Sequence, residues 1–439
     1  MTLNPLVYVC VMSSFNLPEW EACLLRRPSD VVLVVSSFKQ AQEGAEHMAE
    51  LLEQQLPGVV VHRPESRTMP LAGDDALSAQ AWLNQVLLPY LARPALAEKP
   101  RWLNMTGGTK SMQLALLTTV RWEQLDYTPA NSGQVRAIGL EKAPLAPLEE
   151  RGSETLTTAS AKDVARLYNN SVTFGVPNPL LYRPASCELA ERIFRGLTDE
   201  DPGLDAMFAA LRRLWIDGSG QEQWKQKELA LTWPEFLEGE TFPDPALMVW
   251  LQSVEMLAPE CWSISESGIC LPGNKVKNKS SGMHGALKEW LTSGWWEQLA
   301  HVWLLGAGLP EAAVASNVHG GEQQENSSTK READLLVHFR SRTTVVEVKV
   351  EPAPGQAPKE MENQVSGLAD RFGRTQKALL VSPLVRRRLK ARQWEDFAAR
   401  CRANNVALCE DRATLLQAVG AAPAVATTPH KTPHKEVRA

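Results

Sequence analysis

Four short apolar runs, PLVYVCVM, DVVLVVSS, GVVVHR and RWLNM, recur through the first 145 or so residues, each separated from the next by an amphipathic stretch. Strands this continuously apolar are buried on both faces, and connections long enough to cross over make neighbouring strands parallel. The pattern predicts an α/β unit with a doubly wound, mostly parallel sheet. Helices are expected near 19–27, 39–55, 75–91 and 109–122, with FKQAQEGAEHMAELLEQQL the clearest. LDYTPANSGQVRAIGLE reads as a hairpin-like end that closes the unit. In such sheets ligands bind beyond the carboxyl ends of the strands, where both MSSFN (12–16) and TGGTK (106–110) fall.

The second of these loops asks for an anion. A Gly-Gly pair lets the backbone approach something closely, and the helix that follows offers unpaired N–H groups. A phosphate-binding P-loop would need a Gly immediately before the Lys, and Thr109 stands there. What remains is a phosphate cradle without hydrolytic machinery: the amides of Gly107 and Gly108, the hydroxyls of Thr106 and Thr109, and the cation of Lys110. The competing reading is a tight strand-to-helix turn with Lys110 in solvent.

At 439 residues the chain is too long for one ordinary core, so two or three domains are expected. No apolar run approaches the ~18–20 residues needed to span a bilayer. MTLNPLVYVCVMSSF lacks a basic start and a cleavage site, and reads as a first strand. Seven scattered cysteines without a CxxC pair argue against a zinc ribbon and fit a reducing, cytoplasmic setting. The net charge of −5 is uneven, since residues 330–402 carry 16 Lys and Arg against 9 Asp and Glu. A basic segment on an acidic chain suits contact with a polyanion there, unless RRRLKAR is an ordinary solvated surface.

We read the sequence as residues 1–150 forming the first domain, 151–283 a small mixed connecting region, 284–420 a second α/β domain and 421–439 a disordered tail with a repeated TPHK. Within the connecting region, ALMVWLQSVEML followed by CWSISESGICLPG reads as a helix and a small hairpin, winged-helix-like. GNKVKNKSSG reads as a mobile basic loop.

READLLVHFRSRTTVVEVKVE carries the second constellation. Glu347 and Lys349 are two apart on a strand and project from one face. A two-residue turn at Arg340-Ser341 places Asp334 opposite Glu347, whereas an odd loop without a bulge sends Asp334 to the other face. Two carboxylates beside an ammonium suit metal-assisted phosphodiester cleavage: Asp334 and Glu347 would hold a divalent Mn2+ or Mg2+, while Lys349 acts on water or phosphate. Charges set among Val345, Val346, Val348 and Val350 need a partner or a function. The helix SGWWEQLAHVWLL supplies Glu297, with Glu289 two turns earlier, and a later helix supplies Gln364. Glu332 lies two residues before Asp334 and could share or replace a ligand role. His301 suits packing better than ligation. Trp290, Trp295, Trp296 and Trp303 read as core rather than as base-stacking platforms.

LNMTGGTKSM resembles the ligand loop of CARF domains, the Rossmann-like sensors of cyclic oligoadenylate in type III CRISPR systems, and VMSSFNLPEW resembles their other ligand loop. The likeness covers roughly residues 5–140. It implies a homodimer around the bound ring, with Ser13, Ser14, Asn16, Thr106, Gly107, Gly108, Thr109 and Lys110 lining the pocket. Asp334, Glu347 and Lys349 resemble the PD-(D/E)xK restriction-endonuclease-like core, although no Pro precedes Asp334. A CARF-like sensor joined to such a core resembles the CRISPR ancillary nucleases activated by cyclic tetra-adenylate. That family implies antiviral defence by metal-dependent cleavage or nicking of DNA, and in some members single-stranded RNA. The rival reading is a ligand-responsive transcription regulator with a DNA-binding winged helix in the connecting region. No convincing Arg-x4–6-His motif supports a HEPN ribonuclease.

Overall fold

The computed structural model describes residues 2–66, 69–129, 132–139, 149–156, 159–168, 172–175, 178–215, 229–271, 283–319, 332–351, 358–369, 372 and 375–421. The stretch GNKVKNKSSG, the Gly/Ser/Asn-rich loop before Lys330 and the tail from 422 lie outside the described residues. Among the described residues no helix is long and apolar enough to cross a membrane.

Seven strands form the first sheet: β1 (Asn4–Val11), β2 (Pro28–Val34), β3 (Val60–His62), β4 (Arg101–Asn104), β5 (Gln124–Tyr127), β6 (Gln134–Gly139) and β7 (Glu149–Thr155). Their order is β3-β2-β1-β4-β5-β6-β7, parallel from β3 to β5 and antiparallel over the last two pairs. The continuous apolar run of β1 has its expected consequence. Leu6, Tyr8, Cys10 and Met12 enter one core, and Val7, Val9 and Val11 enter the other. Helices α1 (Leu17–Arg26) and α2 (Lys39–Gln55) match the amphipathic stretches, and the helix Lys110–Thr119 follows β4. Chain direction reverses its progress across the sheet between β1 and β4, which makes their carboxyl ends the switch point where such sheets bind ligands.

The second sheet adds β8 (Thr173–Phe174), while β9 (Leu229–Thr232), β10 (Ser263–Ser265) and β11 (Gly268–Leu271) make a small separate antiparallel sheet. The remaining strands are β12 (Val314–His319), β13 (Glu332–Phe339), β14 (Arg342–Lys349), β15 (Gln376–Val381) and β16 (Val406–Cys409), in the order β16-β15-β14-β13-β12-β8. The helix Pro245–Leu257 followed by β10 and β11 is the expected helix and hairpin. Its Trp250, Leu251 and Val254 share one core with Leu335, Val337, Val346 and Val348, so the connecting region covers a face of the six-stranded sheet. Trp290, Trp295, Trp296 and Trp303 are buried in that core, with the rings of Trp296 and Trp303 edge-on at 5.2 Å.

One helix serves both sheets. Ala161–Tyr168 gives Val164 and Leu167 to the core behind β1, and Ala161 and Ala165 to the cluster of Ala315, Val318, Leu336 and Val345. The turn between β13 and β14 is two residues long, with Arg340 at φ 52° and Ser341 at φ 57°. That is the twist a two-residue hairpin requires, made here without glycine. Left-handed backbone costs an L-residue roughly 1–2 kcal/mol, so the surrounding packing holds this turn.

Candidate functional site

The loops after β1 and β4 meet at the switch point. Ser13 Oγ donates to the Phe15 carbonyl at 2.9 Å, and the Ser13 amide donates to Asn16 Oδ1 at 2.8 Å. Ser13 and buried Asn16 thus fold the first loop upon itself, while Ser14 is exposed. In the second loop the Asn104 side chain accepts from the Thr106 amide at 2.8 Å. Asn104 Nδ2 also donates to Tyr8 Oη at 3.3 Å, and Tyr8 donates to Asp126, itself paired with Arg26 at 2.7 Å. A buried polar network therefore anchors the start of the loop.

The Gly-Gly pair has a reason that sequence could not supply. A Cβ on Gly107 would strike the Glu19 carboxyl and the Val11 carbonyl, and one on Gly108, at φ 75°, would strike the Val11 side chain. The close approach is to the end of β1 and to α1. The hydroxyls assigned to the cradle are engaged internally. Thr106 Oγ1 accepts from the Thr128 amide at 2.9 Å, and Thr109 Oγ1 donates to the Gly73 carbonyl while capping the Met112 amide at 3.2 Å. Gln113, which the sequence reading missed, donates from Nε2 to the carbonyls of Met105 and Gly107 at 2.7 Å each. Turning those carbonyls toward the helix leaves the amide side of the loop for an anion. Lys110 is exposed at the first helical position. Beneath the loop lies Glu19, fully buried, with its own backbone amide opposing the effect of burial and no other hydrogen-bond partner for either oxygen among the described residues. Burial pushes its carboxyl up to about 8. Between α2 and residues 63–66 and 70–71 lies a cavity of about 320 Å³, lined by Ser36, Gln42, Glu46, Arg63 and Trp82 among others.

The second constellation sits at the opposite end of the β13–β14 hairpin from its turn. Pairing runs from Phe339↔Arg342 to Leu335↔Val346, and the same register extended by one residue sets Asp334 opposite Glu347. The even turn thus puts both carboxylates and Lys349 on one face. Asp334 Oδ2 accepts from the Val348 amide at 2.6 Å, and Lys349 Nζ donates to Glu347 Oε1 at 2.6 Å. Glu347 Oε2 is buried with no partner among the described residues. Burial, then Glu347 and Glu297, push the Asp334 carboxyl well up. Burial also raises Glu347, opposed by Lys349. Glu297 rises to about 7 through burial and through Glu289, Glu332 and Glu347, with a Ser293 hydrogen bond opposing. For Lys349, burial favours the neutral amine, but Glu347 and Asp334 outweigh it and raise its pKa. Carboxylates that resist ionising together are stabilised by a cation among them.

Among the described residues no three His, Cys, Asp or Glu side chains form a ready metal cage. Two carboxylates with oxygens to spare fit a magnesium-like ion that keeps most of its waters and takes the rest of its shell from substrate phosphate. A Glu332 carboxyl oxygen stands 3.6 Å from His319 Nε2. Gln364 is exposed on the helix Pro358–Ala369, whereas Glu362 on that helix is buried. His301 is part-buried and its pKa is lowered by burial, as suits packing. A further feature had no sequence signal: Asn317, at φ 52° in mid-strand, stands across from Asp334 where the β12–β13 register is interrupted. The basic segment is less available than its charge suggests. Arg387 pairs with Asp205 at 2.7 Å, Arg386 with Glu410 at 2.9 Å and Arg388 with Glu351 at 3.5 Å.

Strand order and loop placement define the class: a doubly wound α/β sheet with paired loops at its switch point, continued into a second mixed sheet with a carboxylate–lysine face. No protein-family model matches the sequence, and no curated protein matches it. Solved structures do share the fold along nearly the whole chain. Protein VC1899 from Vibrio cholerae is 14% identical with a TM-score of 0.66, over 94% of this chain and 96% of that one. Can2 from Sulfobacillus thermosulfidooxidans, solved in complex with cyclic tetra-adenylate, is 16% identical with a TM-score of 0.60, over 94% and 95%.

Proposed function

We propose that the chain is a cyclic-oligoadenylate-activated, metal-dependent nuclease of CRISPR defence, with a CARF-like sensor in its first sheet and a PD-(D/E)xK-like core in its second. The observation that carries this reading is the even hairpin, which gathers Asp334, Glu347 and Lys349 on one face. The shared fold with a structure holding cyclic tetra-adenylate supports the choice of activator. The loops Ser13–Asn16 and Thr106–Lys110 would hold its phosphates, in a homodimer with like loops facing across the two-fold axis.

Asp334 and Glu347 would hold the divalent ion, which supplies Lewis acidity and a lowered pKa for bound water. The protein's own contribution is separate. Val348 fixes Asp334 through its amide, and Glu347 keeps the Lys349 ammonium charged and in place. Lys349 is then set to orient a water or to offset charge on the phosphorus. Glu297 interacts with the pair electrostatically and, raised to about 7, is only part-ionised near neutral pH.

The rival regulator reading draws on the helix Pro245–Leu257 and its hairpin. Supercoiled plasmid incubated with protein, manganese and cyclic tetra-adenylate separates the two. Ring-dependent nicking or linearisation, abolished in Lys349→Ala, supports the nuclease; plasmid bound with its topology intact supports the regulator.

A further inference from the structure

Glu21, in the second turn of α1, and His338, near the tip of the β13–β14 hairpin, are both shut off from solvent. They are 317 positions apart in sequence, yet His338 Nε2 stands 2.9 Å from Glu21 Oε1. The other ring nitrogen, Nδ1, is 3.0 Å from Thr343 Oγ1 on the paired strand. With Nε2–H donating to the carboxylate, Nδ1 accepts from the Thr343 hydroxyl, and both ring nitrogens are engaged. Taking away either member of such a buried pair leaves the facing atom of the other, His338 Nε2 or Glu21 Oε1, without this partner.

Two independent contacts join the same parts of the molecule. Phe15, inside the first ligand loop, stacks on Tyr168 at 5.8 Å, and Tyr168 ends the helix whose other face packs on the second sheet. A Cβ on Gly133, in the loop before β6, would lie 3.0 Å from Arg340 Cβ at the hairpin turn. The tip of the hairpin is therefore seated in the first half of the protein, and its far end carries Asp334 and Glu347. From Asn16 to Glu21 is about 8 Å of helix. From His338 to Asp334 is about 13 Å of strand.

Building on the nuclease reading above, we infer that Glu21 and His338 are positioning residues that pass the state of the ligand loops to the carboxylate pair. A ring nucleotide seated on Ser13–Asn16 shifts α1, and Glu21 carries that shift through His338 into β13. Close-packed strands move between discrete arrangements and do not stretch, so displacement at the tip reaches Asp334. The ring can favour the active arrangement only by binding it more tightly than the resting one.

The test uses the full-length protein, cyclic tetra-adenylate and the variants Glu21→Gln, His338→Gln and their double. Ring affinity, cleavage with and without ring, and amide hydrogen exchange over 332–349 are measured. Each single variant should bind the ring within about threefold of wild type while its stimulation by the ring falls at least tenfold. The double should lose no more than either single, as expected for two ends of one contact. In the wild type, ring binding should change exchange along the hairpin, and in the variants it should not. Stimulation unchanged in variants that melt like the wild type overturns the inference. So does a wild-type hairpin whose exchange ignores bound ring, even should no variant fold. A hairpin that responds in a protein that cleaves nothing keeps the coupling and rejects the nuclease. A ring that never binds rejects both.

Discussion

Glu19 is a carboxyl group kept neutral by its position, and replacing it with glutamine should stabilise the protein in a pH-dependent way. The folded chain holds its proton up to about pH 8, while the unfolded chain releases it near the ordinary value of ~4.3. Between those limits the unfolded state binds fewer protons, so stability falls as pH rises. Below about pH 4 both states are protonated and Glu19 contributes nothing. Above pH 8 both are ionised, and the penalty levels off at on the order of 5 kcal/mol, from about 1.36 kcal/mol for each tenfold difference in proton affinity between the two states. At pH 7 it is roughly 3–4 kcal/mol on the same basis. Glu19→Gln keeps the shape against Gly107 and removes the titration. Urea unfolding of both proteins from pH 5 to 9 should show the variant gaining on the wild type up to pH 8 and then running parallel to it. A stability difference that does not vary with pH would refute the argument, because every other titrating group is common to the two chains.

Other outcomes follow from the two sites. Lys110→Ala should weaken binding of cyclic tetra-adenylate by about 1.5–3 kcal/mol, the range for a charge-assisted hydrogen bond, with cleavage largely restored at saturating ring; unchanged binding in calorimetry removes the cradle. The same calorimetry should give one ring for two chains, and one ring per chain would rule out the shared two-fold site. Asp334→Asn should weaken metal binding and recover partly in excess manganese, whereas Lys349→Ala should bind metal and fail to cleave at every concentration; full activity in Lys349→Ala would end the proposed mechanism.

What could be read from sequence was whatever follows from local periodicity. The buried strands of the first sheet declared themselves as apolar runs, and the two-residue turn at Arg340-Ser341 has the even parity under which Asp334 and Glu347 share a face. Features that depend on distant partners were out of reach. Nothing local to Glu21 points to His338. The glycines of the second loop looked like room for a ligand, yet their nearest constraint is Val11 and Glu19. For RRRLKAR, read either as a surface for a polyanion or as an ordinary solvated one, the pairing of three arginines with Asp205, Glu410 and Glu351 had no local signal. The left-handed backbone of Asn317 had only a weak local mark, because asparagine visits that region more readily than most residues yet seldom does so in a strand.

The helix Ala161–Tyr168 also limits how such a protein can be recombined. Its Val164–Leu167 face is fitted to one core and its Ala161–Ala165 face to the other. A gene fusion that replaces either half must keep this helix matched to a surface with which it did not evolve. The alanines make that demanding: a larger side chain at 161 or 165 would wedge the helix away from Leu336 and Val345. Exchange of the first-sheet half among chains of this architecture is therefore expected to carry the helix along, together with compensating changes on the sheet it meets. The inheritable module is cut through a packed interface and not through a linker.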